Sequence, residues 1–383
     1  MSVSIERVEV ICLQDPEVDF VRFEGSYQNV LVVVSADNGL YGIGETDSPP
    51  QVIRALIETP VYNQLSRGLA ALLVGETLDD PRRLWQKMYR HTSWHGRHGV
   101  AIHAISALDI ALWDLHARCE GRPLYDYFGG MKHQRVPAYA TIYPMAGEAE
   151  AFEHQINDCL ERGFKRIKIC VEPWWSDIQK TIQNLHHLRD LVGSEIHLML
   201  DVAMEFTCLS DLEPFIETLQ QLDFKWIEAP FDLGNLNEHR TLKKRTAIPV
   251  GVGDLGFTTC SEFQPYIDAD AFDIAQPDIT MFGGVSEVIR LQKLLSTGSK
   301  RIVPHAYNTD ITIALNAHFV CAQQALEPLE YSTSSSILRR SLIRNPLRID
   351  ANGMINIEAE QNGLGRELDW DLIRRCSFPT QPD

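Results

Sequence analysis

The sequence predicts an α/β chain in which a (β/α) barrel carries the chemistry and a smaller antiparallel region precedes it. Two observations predict this. From Lys168 to His305, short apolar runs end one after another in a charged residue: 196–200 at Asp201, 224–227 at Glu228, 248–253 at Asp254, 272–277 at Asp278 and 301–304 at His305. Such a run reads as a buried strand that delivers a polar group at its C-terminal end. Each run is followed by a helical pattern, and parallel barrels place their chemistry at the mouth where the strands end.

Ahead of the barrel, residues 3–13 and 29–35 read as strands. The second leads through Ala36-Asp37-Asn38-Gly39, a turn signal, into a third at 40–44. The loop from roughly 14 to 28 carries Asp15, Asp19, Arg22, Glu24 and Tyr27, and a lid or a solvated hairpin loop fits it equally. From about 49 to 120 the pattern is helical, with a start near Pro81 and a broad apolar face over 100–117. Trp94-His95-Gly96-Arg97-His98-Gly99 joins two of those helices. A plain connection is its commoner meaning; the alternative is a substrate-facing loop. Barrel strands are expected at 136–140, at 166–170, ending at 201, at 228 and near 253, then at 271–275, 301–304 and 328–331, with seven helices between them. Past 345, strand signals return, so this tail is expected to pack back on the N-terminal region. The expected domains are 1–125, 126–345 and 346–383.

The acidic balance, 52 Asp and Glu against 35 Lys and Arg for a formal charge of −17, argues against nucleic acid and anionic membranes as partners. It leaves an anionic small molecule open, because a metal reverses the local field. Eight dispersed cysteines without metal-ligand spacing argue against structural zinc and fit a reducing, cytoplasmic setting. The first residues lack a signal-peptide core, and no apolar run approaches membrane-spanning length.

Asp201, Glu228 and Asp254 end three consecutive strands. One alone would be a helix cap or a loop ion pair; three converging at one mouth repel one another unless a cation lies among them. Carboxylate oxygens select a hard ion, Mg2+ first and Mn2+ next. Asp278 and His305 end the next two strands, where a carboxylate that holds one imidazole nitrogen raises the basicity of the other. Glu330, at the eighth strand, would donate a hydrogen bond if burial keeps it protonated. Strand alternation puts Arg166, Lys168 and Cys170 on one face, so Lys168 would bind a substrate carboxylate or stabilise an enolate oxygen. Cys170 is a packed small hydrophobe or, less readily, a second base. Arg22, Tyr27, His95 and Arg97 are candidates to bind the substrate's hydroxyls or distal carboxylate. Trp174 and Trp175 either line the mouth or make core or oligomer contacts.

These motifs resemble the enolase superfamily, mandelate racemase subgroup, over nearly the whole chain. The resemblance is carried by Gly163-Phe164 with Lys168, Leu200-Asp201, Trp226-Ile227-Glu228-Ala229-Pro230, Gly251-Val252-Gly253-Asp254, Gln276-Pro277-Asp278 with Gly283-Gly284-Val285, and Pro304-His305. Gly42-Ile43-Gly44-Glu45 and the segment 107–115 add to it. It implies a modified (β/α) TIM-type barrel with an N-terminal α+β capping domain, Mg2+, a homo-oligomer, and abstraction of the proton beside a substrate carboxylate to give a metal-stabilised enediolate. Three departures stand out. Cys170 replaces the second lysine of the family's Lys-x-Lys. Asp254 replaces the usual glutamate. Leu255 stands where several acid-sugar dehydratases carry a histidine.

One base without an opposite base points away from two-base proton transfer. It points to β-elimination of water from a sugar acid, an aldonate or aldarate, giving a 2-keto-3-deoxy acid. A racemase or epimerase using His305 and Cys170 is the alternative. A cycloisomerase ranks lower, because such members resemble one another in a lysine pair. A catalytically silent barrel that binds a metal and an acid is the reading from a different class, and the Asp278–His305 pair argues against it.

Overall fold

The structure, a computed structural model, describes residues 3–17, 27–143, 149–170, 175–254, 256–359 and 361–378. Strands β1 (Ile5–Gln14), β2 (Gln28–Ala36) and β3 (Tyr41–Thr46) form an antiparallel sheet in that order. Four helices follow: α1 (Pro50–Glu58), α2 (Leu69–Leu73), α3 (Pro81–Arg90) and α4 (Val100–Glu120). Helix α3 begins where the sequence signals it: Pro81 needs no partner for its nitrogen, and Asp80 Oδ1 accepts from the Arg82 amide at 3.0 Å. Helix α4 is buried on nearly every side. It is long and apolar enough to cross a membrane, contrary to the sequence reading, but 83% of its apolar window lies inside the protein. Its apolarity is that of a core helix.

The barrel alternates strand and helix: β4 (Arg135–Ile142), α5 (Ala149–Glu161), β5 (Arg166–Cys170), α6 (Ile178–Val192), β6 (His197–Asp201), α7 (Leu209–Gln221), β7 (Phe224–Glu228), α8 (Leu236–Arg245), β8 (Val250–Val252), α9 (Cys260–Asp268), β9 (Ile274–Ala275), α10 (Gly284–Leu295), β10 (Arg301–Ile302), α11 (Asp310–Cys321) and β11 (Leu329–Ser332). The parallel strands lie in the order β10-β9-β8-β7-β6-β5-β4-β11. The last strands before the seam are shorter than expected, two residues each for β9 and β10. At that seam a side chain completes the closure: Glu330 Oε2, on β11, accepts from the Ala306 amide at 2.7 Å, just past β10. Tyr139, Met199, Trp226, Ile274 and Val303 form a separate buried cluster, a layer contributed by the barrel strands and their ends.

A short 3-10 turn, Ile337–Arg339, follows β11, then β12 (Ile343–Arg344), β13 (Met354–Asn356), β14 (Glu367–Leu368) and α12 (Trp370–Cys376). The tail makes contacts on both sides. Strand β13 pairs antiparallel with barrel strand β4, Met354 opposite Pro137. Helix α12 then reaches β1, where the Phe378 amide donates to the Cys12 carbonyl at 3.1 Å.

The cap is joined to the barrel through α3 and α4. Asp109 accepts from the Ser286 amide at 2.8 Å and hydroxyl at 2.7 Å, Ser106 Oγ accepts from the Gly283 amide at 2.7 Å, and Trp85 donates to the Gly283 carbonyl at 2.8 Å. All these groups are buried, so each bond replaces water that folding removed. On its other side α4 lies directly against β3. A Cβ at Gly44 would stand 2.1 Å from the Ala107 carbonyl oxygen and 2.8 Å from the Ala111 amide. Gly44→Ala is therefore expected to lower stability by about 1–3 kcal/mol through forced backbone separation. Urea unfolding checks this, and an unchanged midpoint refutes the close-packing account.

Candidate active site

Asp201 and Glu228 are the last residues of β6 and β7; Asp254, Asp278 and His305 follow β8, β9 and β10 within three residues. Register carries them to one level: Cys170 lies opposite Asp201, Asp201 opposite Glu228, and Asp278 bridges to His305. Asp201, Glu228 and Asp254 are all buried and offer carboxylate oxygens within 4.8 Å of one another. The backbone departs from ordinary geometry just beyond two of them. Ala203, Met204 and Ala229 take positive φ values of 52°, 59° and 43°. For non-glycine residues this costs about 1–3 kcal/mol each, and such strain clusters where chain direction serves a site.

Lys168 enters this group from β5. It is fully buried, and its ammonium contacts Glu228, Glu330 Oε1 at 3.0 Å and Asp201 Oδ2 at 3.3 Å. The Tyr139 ring lies below it, 5.8 Å away. Burial opposes the charge on Lys168, but Glu228, Glu330 and Asp201 outweigh it and hold the ammonium well above its ordinary pKa. The other oxygen of Glu228 accepts from Trp226 Nε1 at 3.1 Å and Gln276 Nε2 at 2.5 Å. That Gln276 contact explains Gly251, where a Cβ would stand 1.7 Å from the glutamine's oxygen. Burial, with Asp201, Glu330 and Asp254 nearby, pushes Glu228 up despite Lys168. One ammonium does not balance the carboxylates gathered here, so the donor set fits a divalent cation held by Asp201, Glu228 and Asp254.

His305 Nδ1 lies 2.8 Å from Asp278 Oδ2. The other Asp278 oxygen accepts from the Thr280 amide at 2.7 Å and hydroxyl at 2.6 Å, which fixes the carboxylate plane. Burial disfavours an imidazolium, but Glu330 and the Asp278 hydrogen bond and charge overcome it, raising His305 to about 10. The expectation of a protonated Glu330 is overturned. Burial does favour its neutral form, yet Lys168, His305, the Thr141 hydroxyl at 2.5 Å and the Ala306 amide together hold it below the usual carboxylate range. Glu330 accepts hydrogen bonds here; it does not donate one.

Cys170 is buried at the end of β5 beside Asp201, on the level of the carboxylates. Arg22 and Trp174 lie outside the described residues. Tyr27 is half-buried just before β2, its carbonyl accepting from the Asp15 amide at 2.9 Å. His95 and Arg97 make their recorded contacts elsewhere. His95 Nε2 is 2.7 Å from Ser66 Oγ within the cap, and the exposed Arg97 stacks over Tyr89 of α3 at 5.1 Å. Trp175 packs between Phe206 and Phe215, centroids 4.9 and 5.2 Å away, so it is a core contact. Thr141 and Tyr143 were missed, although alternation from Tyr139 along the first barrel strand places them on one side. Tyr143 lies within electrostatic reach of Cys170, Asp201 and Lys168, its ring 5.0 Å from Tyr307.

Residues 151–372 match the enolase C-terminal domain-like family, and residues 15–129 match the mandelate racemase / muconate lactonizing enzyme N-terminal domain. The chain belongs to the mandelate racemase group of the enolase superfamily. Members of this superfamily generally bind Mg2+. Similar proteins include an arabinonate dehydratase of Saccharolobus solfataricus, 26% identical over 91% of each chain, and a D-galactarolactone cycloisomerase of Agrobacterium fabrum, 24% identical over 92% of each. The crystal structure of the 3,6-anhydro-D-galactonate cycloisomerase from Zobellia galactanivorans superposes with a TM-score of 0.87 at 26% identity, covering 98% of this chain and all of that one. Cycloisomerases thus stand beside dehydratases among the relatives, and ranking them lower on the missing lysine pair finds no support there.

Because Lys168 touches three buried carboxylates, Lys168→Met is expected to cost about 3–5 kcal/mol in EDTA, the loss typical when one partner of a buried ion pair is removed. Added Mg2+ is expected to recover part of it. Denaturant unfolding with and without the ion is the measurement, and unchanged stability in EDTA counts against the charge balance described here.

Proposed function

We propose that this chain is a Mg2+-dependent dehydratase of a sugar acid, with His305 as the base. The observation that carries the reading is the His305–Asp278 dyad, 2.8 Å apart on neighbouring strand ends beside the three-carboxylate group. Asp201, Glu228 and Asp254 would hold the ion, with Mn2+ as an alternative. When bound, it supplies positive charge to the substrate carboxylate as its α-proton leaves.

The chain's own groups account for the rest. Asp278 holds the Nδ1 side of His305, so Nε2 is the nitrogen left for the substrate. The neutral ring takes the proton from C2. The resulting imidazolium returns a proton to the 3-hydroxyl as the C3–O bond breaks on the same face, and the enol product tautomerises to a 2-keto-3-deoxy acid. Lys168 adds positive charge beside the carboxylate-binding end. Cys170 stands opposite Asp201 at the end of β5. The relatives named as dehydratases support this chemistry in kind. The cycloisomerases among them favour a second reading, in which the same dyad moves a proton within a cyclic acid without loss of water.

His305→Asn is expected to lower turnover by at least about 10²–10⁴-fold, the usual contribution of a general base, while Mg2+ still raises the melting temperature. The assay incubates the protein and Mg2+ with aldonates and aldarates and detects 2-keto acids with semicarbazide. A variant that retains substantial activity removes His305 as the base, and α-proton exchange without any 2-keto acid favours the isomerase reading.

The base works deprotonated, so kcat/KM is expected to rise with pH through the ring's pKa. Asp278→Asn removes a group that raises this pKa, so the acidic limb should move to lower pH as the rate falls. A limb that stays in place assigns it to another group.

A further inference from the structure

Glu45 lies in β3 of the cap, yet its carboxylate is spent almost wholly on the barrel. It is 1% exposed. One oxygen accepts from the Thr312 amide at 2.8 Å and from the Thr312 hydroxyl; the other accepts from the Thr309 hydroxyl at 2.7 Å and from Asn29 Nδ2 at 2.8 Å. Asn29 Nδ2 also reaches Asn308 Oδ1 at 2.7 Å.

These partners are the first turn of α11. Thr309 is its N-cap and takes the Ile311 amide at 3.1 Å, leaving the Thr312 amide, one residue further, to Glu45. A helix start leaves such amides without intrahelical partners and favours negative charge. The capping of α11 is therefore divided between its own threonine and a carboxylate from another domain. One turn further on, Asn316 Nδ2 donates to the His305 carbonyl at 3.0 Å. An unbroken chain of buried contacts runs from Glu45 through α11 to the backbone of His305.

We propose that Glu45 is a positioning residue for His305: the cap delivers a carboxylate that fixes the N-terminus of α11, and α11 fixes the loop that carries the base. This rests on the reading of His305 as the base. It makes the cap part of the catalytic geometry, since separating cap from barrel would loosen the imidazole even with Asp278 in place.

The test compares Glu45→Gln, Asn316→Ala and the double variant in the dehydratase assay. Glu45→Gln is expected to lower kcat by about 10–100-fold, as small misplacements of a reacting group do, with KM little changed and the Mg2+-induced thermal shift retained. The double variant should be no slower than the poorer single one, because both act along one path. Additive losses, or a fall in melting temperature with kcat intact, overturn the proposal. If Glu45→Gln does not fold, Thr312→Val removes one donor to the same carboxylate and carries the same expectations. If the wild type acts on no sugar acid, the dehydratase reading fails, and the positioning claim is read separately by NMR of 15N-histidine-labelled protein. There Glu45→Gln should move the His305 ring resonances, assigned with His305→Asn, and leave those of the buried His239 on α8 in place; an unmoved His305 signal overturns it.

Discussion

The structure turns on the burial of several carboxylates around one ammonium. Asp201, Glu228, Asp254, Asp278 and Glu330 are all nearly inaccessible, and Lys168 contacts three of them. Charges of one sign at this density are tolerable only with counter-charge and donors placed on them. Each carboxylate is dealt with differently. Glu330 is held ionised by Lys168, Thr141 and a backbone amide, Asp278 accepts hydrogen bonds from Thr280 and lies 2.8 Å from the His305 ring, and Glu228 is left with more negative charge around it than Lys168 offsets. The imbalance lies where three ligand oxygens converge, so the feature that burdens the fold is also the one that suits a cation.

Much of the surrounding architecture serves to keep those groups in place. Gly251 lets Gln276 cross to Glu228, and Glu330 bridges the β10–β11 seam while orienting toward Lys168. The cap contributes as well: α4 grips the Gly283 turn beyond β9, and Glu45 grips the start of α11 beyond β10. Both grips act on segments directly after Asp278 and His305. Motifs far from the chemistry in sequence, Gly42-Ile43-Gly44-Glu45 and the segment 107–115, thus find their reason in the joint between cap and barrel.

The barrel was legible because its signals are local. A run of β-branched and apolar residues closed by a carboxylate states both the strand and the direction of its polar end, and seven helices could be counted between the strands. The strands were least legible near the seam, where β9 and β10 have two residues each and side-chain bonds replace ladder bonds. The contacts of the loop residues were not legible either. His95 and Arg97 are polar and loop-borne, as ligands are, but Ser66 and Tyr89 already engage them, and nothing local reveals such a partner about 30 residues away or on a neighbouring helix.

By itself the sequence determined the order of elements and which residue types reach the strand ends, because period and termination depend on neighbours in the chain. Tertiary structure decided the hydrogen-bonding role of Glu330. Whether Glu330 donates or accepts depends on Lys168, Thr141 and Ala306, which come from other strands, and burial alone gives the wrong sign. It also decided that Glu45 reaches α11 across more than 250 residues of chain, a contact that exists only once cap and barrel are packed.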